Sequence, residues 1–248
     1  VFAGVGRPSA SKDCSEDVLV SNLDDSEKEC LVYFPLYDEV INPEIGVDDN
    51  ARISSNADPF RKRVVIYGSS IVQGASATRP GLAYPALLSR QTEINFLNLG
   101  VSGSAKMEKE VADMVSSIPA DAYILDCVAN SSPEQVTERT AYLVKKIRAD
   151  HPKAPIIMIQ SIVRQHGFWD MKVGERVRQQ NAAFEVEYKK LKDAGLKDLY
   201  FIKGDKLLGS DNEATVDGTH PNDLGFYRML EIIRPEVLGV LKKHAIAK

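Results

Sequence analysis

The sequence predicts an α/β fold: a five-stranded parallel sheet with helices on both faces, preceded by a small β-rich segment. Three observations predict it. Beyond about residue 60, short apolar runs alternate with longer stretches of helical period, as strand–helix units require. Before that point the stretches are short, alternating or aromatic-rich, and turn clusters separate them. The chain has 248 residues, 44% apolar and 27% charged, enough for one large domain or a full domain and a partial one.

In the first segment, 17–20, 30–36 and 44–47 read as strands. Turn clusters divide them, Asn22-Leu23-Asp24-Asp25-Ser26 and Asp48-Asp49-Asn50. Three strands bury little core alone, so they are expected to pack on the main domain or to belong to a larger β-sandwich. The chain opens Val1-Phe2-Ala3 with no initiator Met and no signal-peptide pattern, as a processed or trimmed polypeptide would. Cys14 and Cys30 could pair across two early strands or stay free thiols. Cys127 closes an apolar run and reads as a small buried hydrophobe. Asn56-Ala57-Asp58-Pro59 marks the joint, giving a module at 1–60 and a main domain at 61–248.

Past the joint, 63–67, 95–99, 122–127, 155–160 and 199–202 read as buried strands. Between them 106–117, 133–150, 173–194 and 223–243 read as amphipathic helices. The net charge of −4 offers no basic field for nucleic acid. Apolar runs such as 154–159 are far too short to span a bilayer. Neither a nucleic-acid partner nor membrane insertion is expected.

In an open parallel sheet, ligands bind beyond the carboxyl ends of the strands. The first strand is followed by Gly68-Ser69-Ser70-Ile71, with Ser70 where strand gives way to helix. A serine there is most simply a helix cap, and a glycine–serine turn could also cradle a phosphate. The second strand is followed by Gly100-Val101-Ser102-Gly103, whose last glycine would present a bare N–H to the same crevice. The third leads to Asn130, whose amide could point there too or simply make a turn.

Asp217-Gly218-Thr219-His220-Pro221 says more. An acid three residues before a histidine, with glycine between, lets one loop hold the imidazole by one nitrogen and offer the other to a serine. A turn with Thr219 capping the next helix and Pro221 in its first turn explains those two residues but not His220. Of the four histidines only His220 has an acid at this spacing; His151 and His244 read as solvated.

These four blocks, in this order, resemble the SGNH hydrolase superfamily of GDSL-type esterases and lipases, from about Arg63 to the end of the chain. The resemblance implies a flavodoxin-like three-layer α/β/α sandwich. It implies Ser70 as nucleophile, His220 and Asp217 as its base, and an oxyanion hole from Ser70, Gly103 and Asn130. The string from Tyr67 to Pro85 is similar to a subgroup described as platelet-activating-factor-acetylhydrolase-like, whose members carry a β-sandwich in front; residues 1–60 look like its latter part. Two departures stand out: Ser69 replaces the family's aspartate, and Val128-Ala129-Asn130-Ser131 replaces its Gly-x-Asn-Asp.

The implied activity is hydrolysis of small acyl esters, acetyl first, on carbohydrate, with no cofactor or metal and in a secreted or periplasmic setting. Trp169 and His166, on the loop after the fourth strand, are candidate substrate contacts, although a lone Trp packed on the domain explains Trp169 as well. Rival expectations are a lipase, thioesterase or phospholipid acetylhydrolase, an inactive carbohydrate-binding protein, and a flavodoxin-like phosphate binder. The last gives Asp217 and His220 no task.

Overall fold

A computed structural model describes residues 1–7, 14–57 and 60–248. The chain divides into two compact units, Val1–Tyr33 and Phe34–Lys248. Among the described residues before Arg63 there is no strand ladder, so the stretches expected as strands there are not strands. Extended chain becomes a strand only when another chain segment takes its N–H and C=O groups, and this segment supplies none in register. In the first unit Asp17 accepts the Arg7 backbone N–H at 2.9 Å, and Lys28 reaches back to Asp24. Cys14 and Cys30 are exposed free thiols.

The second unit holds five parallel strands in the order β2-β1-β3-β4-β5. They are β1 (Arg63–Gly68), β2 (Asn95–Gly100), β3 (Ala122–Asp126), β4 (Ile156–Ile159) and β5 (Leu199–Ile202). Six helices accompany them: α1 (Ser70–Gln73), α2 (Tyr84–Thr92), α3 (Lys109–Ser117), α4 (Pro133–Asp150), α5 (Met171–Asp193) and α6 (Asp223–Lys243). Alternate strand residues serve opposite cores. Val64, Ile66, Ile124, Ile157 and Ile159 pack under α1, α2 and α6. Val65, Tyr67, Leu125, Ile156 and Met158 pack under α3, α4 and α5. The inner strands β1, β3 and β4 are therefore dry on both faces, which is why they read as continuous apolar runs, whereas the edge strands β2 and β5 are half-buried. The expected three-layer sandwich is the fold.

The element ends differ from expectation where backbone geometry intervenes. α3 starts at Lys109 because Ala105 and Met107 hold positive φ, which no right-handed helix accommodates. α5 starts at Met171 because Asp170 caps it, accepting from the N–H groups of Lys172 and Val173. Among the described residues no helix is long and apolar enough to cross a membrane.

The strand order sets the site. The chain leaves β1 toward β2 on one side and returns to β3 on the other, so the crevice opens at the carboxyl ends of β1 and β3. Gly68 pairs with Gly100 on one side and Asp126 on the other, bringing the three following loops together. A Cβ on Gly100 would lie 2.0 Å from the backbone nitrogen of Gln73, so only glycine lets α1 dock this closely.

Candidate active site

Ser70 is the first residue of α1 and is 7% exposed. The capping task falls to its neighbour: Ser69 is the N-cap and accepts the Ile71 N–H. That frees Ser70, whose Oγ lies 3.0 Å from Nε2 of His220 across 150 residues of sequence. On the other side of the ring, Nδ1 lies 2.7 Å from Oδ2 of Asp217. Asp217 also accepts the backbone N–H groups of Thr219 and His220, at 2.9 and 2.7 Å. Partial burial works against its charge, but these N–H groups and the imidazole outweigh it and hold the carboxyl down at about 2. An ionised Asp217 can only accept, so Nδ1 of His220 must donate. Nε2 is then a lone pair facing the Ser70 hydroxyl.

The loop carrying Asp217 and His220 is fastened at several points. Thr215 and Pro221 form a bridge, and Val216 N–H donates to His220 O at 3.0 Å. Gly218, at φ +80°, donates its N–H to Thr215 Oγ1 at 3.1 Å. His166, expected to face the substrate, turns its Nδ1 to this loop, 3.1 Å from Thr219 Oγ1 and 3.2 Å from Gly218 O. Thr219 therefore meets His166 and does not cap; Asn222 caps α6, accepting the Gly225 N–H. Pro221 lies in the bridge before the helix.

Gly103 sits in an exposed turn at φ +68°, with open space around its α-carbon. Asn130 donates one amide hydrogen to Ser104 O at 2.5 Å, joining the loop after β3 to the loop after β2. An amide has two such hydrogens, so one remains for a ligand. The Asn130 turn is held from behind: Arg164 Nη2 donates to Ala129 O at 2.7 Å, and buried Gln180 donates to the carbonyls of Ala129 and Ser131. Sequence reasoning flagged the Arg164 loop but not these contacts. A basic residue five positions past β4, at the crevice, was the available signal.

Trp169 is 92% exposed, so it does not pack on the domain. His151 and His244 are not free in solvent either: His151 Nε2 is 2.8 Å from Ser116 O, and His244 Nε2 is 2.9 Å from Tyr200 Oη. Cys127 is fully buried. A surface depression lined by Lys62, Asp121, His151 and His244 lies at the amino ends of the strands, at the far end of the sheet from Ser70.

Residues 61–238 match the model of the GDSL-like Lipase/Acylhydrolase family, and residues 1–53 match that of the N-terminus of SGNH-hydro-type esterases. A protein of Bacteroides ovatus ATCC 8483, described as a candidate GDSL-like lipase, is 52% identical with a TM-score of 0.77. The comparison covers 79% of this chain and 58% of that one, so the chain spans somewhat over half of its relative. A family two carbohydrate esterase of Clostridium thermocellum, solved with cellohexaose, is 13% identical at a TM-score of 0.58, covering 77% of this chain and 68% of that one. A family three carbohydrate esterase of Talaromyces cellulolyticus is 16% identical at 0.56, covering 73% and 99%. The last two share the fold. No curated protein matches the chain.

Proposed function

Because the chain belongs to the GDSL-like lipase/acylhydrolase family, we propose that it is a serine esterase that removes small acyl groups, acetyl above all, from carbohydrate. The observation that carries this is the unbroken relay from Ser70 Oγ through the His220 ring to Asp217, at 3.0 and 2.7 Å.

A serine hydroxyl is a weak nucleophile until its proton has somewhere to go. Nε2 of His220 takes that proton as Oγ attacks the ester carbonyl carbon, and Asp217 steadies the imidazolium that forms. The carbonyl oxygen becomes an oxyanion, held by the N–H groups of Ser70 and Gly103 and the second amide hydrogen of Asn130. Ser70 opens a helix, so its N–H has no intrahelical acceptor to compete. Each donor stabilises the transition state by roughly 3–4 kcal/mol. The imidazolium then protonates the departing alcohol, leaving an acyl group on Ser70. Water, deprotonated by the same nitrogen, releases the acid.

The carbohydrate assignment is supported by the two carbohydrate esterases of like fold and by the exposed Trp169 ring, free to stack on a sugar. The test is acetate release from acetylated oligosaccharides alongside chromogenic esters of rising acyl length. Acetyl esters should be cleaved best and chains beyond about four carbons rejected, with no release by Ser70→Ala. Preference for long chains would instead make the protein a lipase or thioesterase.

A further inference from the structure

Among the described residues, Arg164 has no carboxylate at ion-pair distance. Of its five N–H groups, one hydrogen bond is made, to Ala129 O, and its Nε is buried with no acceptor. Neither Arg164 nor Arg176 meets a carboxylate at ion-pair distance among the described residues, whereas Arg139, Arg178 and Arg228 each do. Burial first, and then the charge of Arg176, hold the Arg164 guanidinium below its ordinary value, with Asp217 pulling the other way. Helix geometry explains the Arg176 contribution. Gln180 of α5 donates to the same Ala129 carbonyl as Arg164, and Arg176 lies four residues earlier, one turn up the same helix face. Lys172, exposed, continues that row by another turn. Glu134 senses Arg176 from α4 but forms no ion pair with it.

The two guanidinium groups repel, and a largely covered one with no carboxylate at ion-pair distance is costly. An anion supplied from outside removes both penalties. The place is specific: Arg164 is anchored one residue from Asn130 on one side and attracted by Asp217 on the other. It therefore borders the crevice in which Ser70 acts.

We propose that Arg164 and Arg176 form an anion subsite beside Ser70 that takes a carboxylate on the alcohol part of the ester, so that the substrate is an acylated acidic sugar of the uronate type. The planar fork of Arg164 matches the two oxygens of a carboxylate, while Arg176 adds charge from the helix surface. This rests on the esterase assignment above, and the experiment separates the two.

Rates are compared for 4-acetoxybenzoate and its neutral counterpart 4-acetoxybenzamide, and for mono-4-nitrophenyl succinate against 4-nitrophenyl acetate, in wild type, Arg176→Glu and Arg164→Gln. Arg164→Gln also loses the Ala129 contact and could disturb the fold; Arg176 is exposed, so its charge reversal carries the test. The expected result is a fall of about tenfold in the kcat/KM ratio of 4-acetoxybenzoate to 4-acetoxybenzamide in Arg176→Glu, with the wild-type ratio itself falling as salt is raised. A purely structural role for either arginine would not move a ratio between charged and neutral substrates. A ratio that changes only in the succinate pair would put the anion on the acyl side and overturn the uronate assignment. Ratios that stay constant in both pairs would overturn the subsite. Failure of wild type to cleave any of the four esters would strike the esterase assignment itself.

Discussion

At Asp217, two backbone N–H groups and an imidazole converge on one carboxylate. They keep it ionised down to about pH 2, so wherever the His220 ring is neutral its Nδ1 carries the hydrogen. This part of the site was legible because it is local: three residues of separation and an intervening glycine are visible in a string of letters. The pairing of His220 with Ser70 spans 150 residues and was legible only through family resemblance. The bracing of Asn130 by Arg164 and Gln180 was not legible at all, since side chains from two other elements supply it. In the proposed mechanism Asn130 donates to the oxyanion only in the transition state, so Asn130→Ala is expected to lower kcat by about 100-fold or more with little change in KM. Steady-state kinetics on one acetyl ester decides this. A change confined to KM would make Asn130 a residue that binds substrate.

Among the elements, the inner strands β1, β3 and β4 were the most legible, because burial on both faces leaves an apolar run in the sequence. α2 escaped the periodic reading; it is nine residues long, opens with Tyr84-Pro85 and buries most of its first half. The shift of α3 came from positive φ at Ala105 and Met107, which composition does not reveal. The segment before Arg63 was expected to contain strands, but alternation alone does not supply the neighbour a strand requires. The loop between β5 and α6 carries both Asp217 and His220, and it turns on Gly218. This residue holds φ +80°, and a Cβ there would lie 2.5 Å from Cβ and 3.0 Å from the backbone nitrogen of His166. Gly218→Ala should therefore destabilise the protein by about 1–3 kcal/mol and push the loop away from His166. Both Tm and kcat should fall, with the loss in kcat exceeding what unfolding alone removes at the assay temperature. A variant that melts and turns over like wild type would show that His166 does not set the position of His220.

For the molecule as a whole, a carboxyl lies sealed between strand and helix, among several other buried polar groups. Asp126, at the end of β3, is 4% exposed and accepts the Tyr84 hydroxyl at 2.9 Å. Burial pushes its carboxyl up to about 7, although the Tyr84 hydrogen bond opposes this. The folded state then binds a proton that the unfolded chain, at 3.8, has already released. Stability from this group is complete below about pH 4 and declines as pH rises to about 7, by up to roughly 1.4 kcal/mol per unit. Asp126→Asn cannot ionise, so its Tm should lose that decline relative to wild type across the same window. Parallel Tm curves for the two proteins would mean that Asp126 carries its charge in the fold.

The fold converges on one hydroxyl, and its reactivity can be measured without knowing the natural ester. The folded chain is treated with a fluorophosphonate probe, digested, and the adduct located by peptide mass spectrometry. One adduct is expected, on Ser70, and it disappears in His220→Ala while the melting transition of that variant persists. An adduct on a different serine, or undiminished labelling of Ser70 without His220, would contradict this expectation.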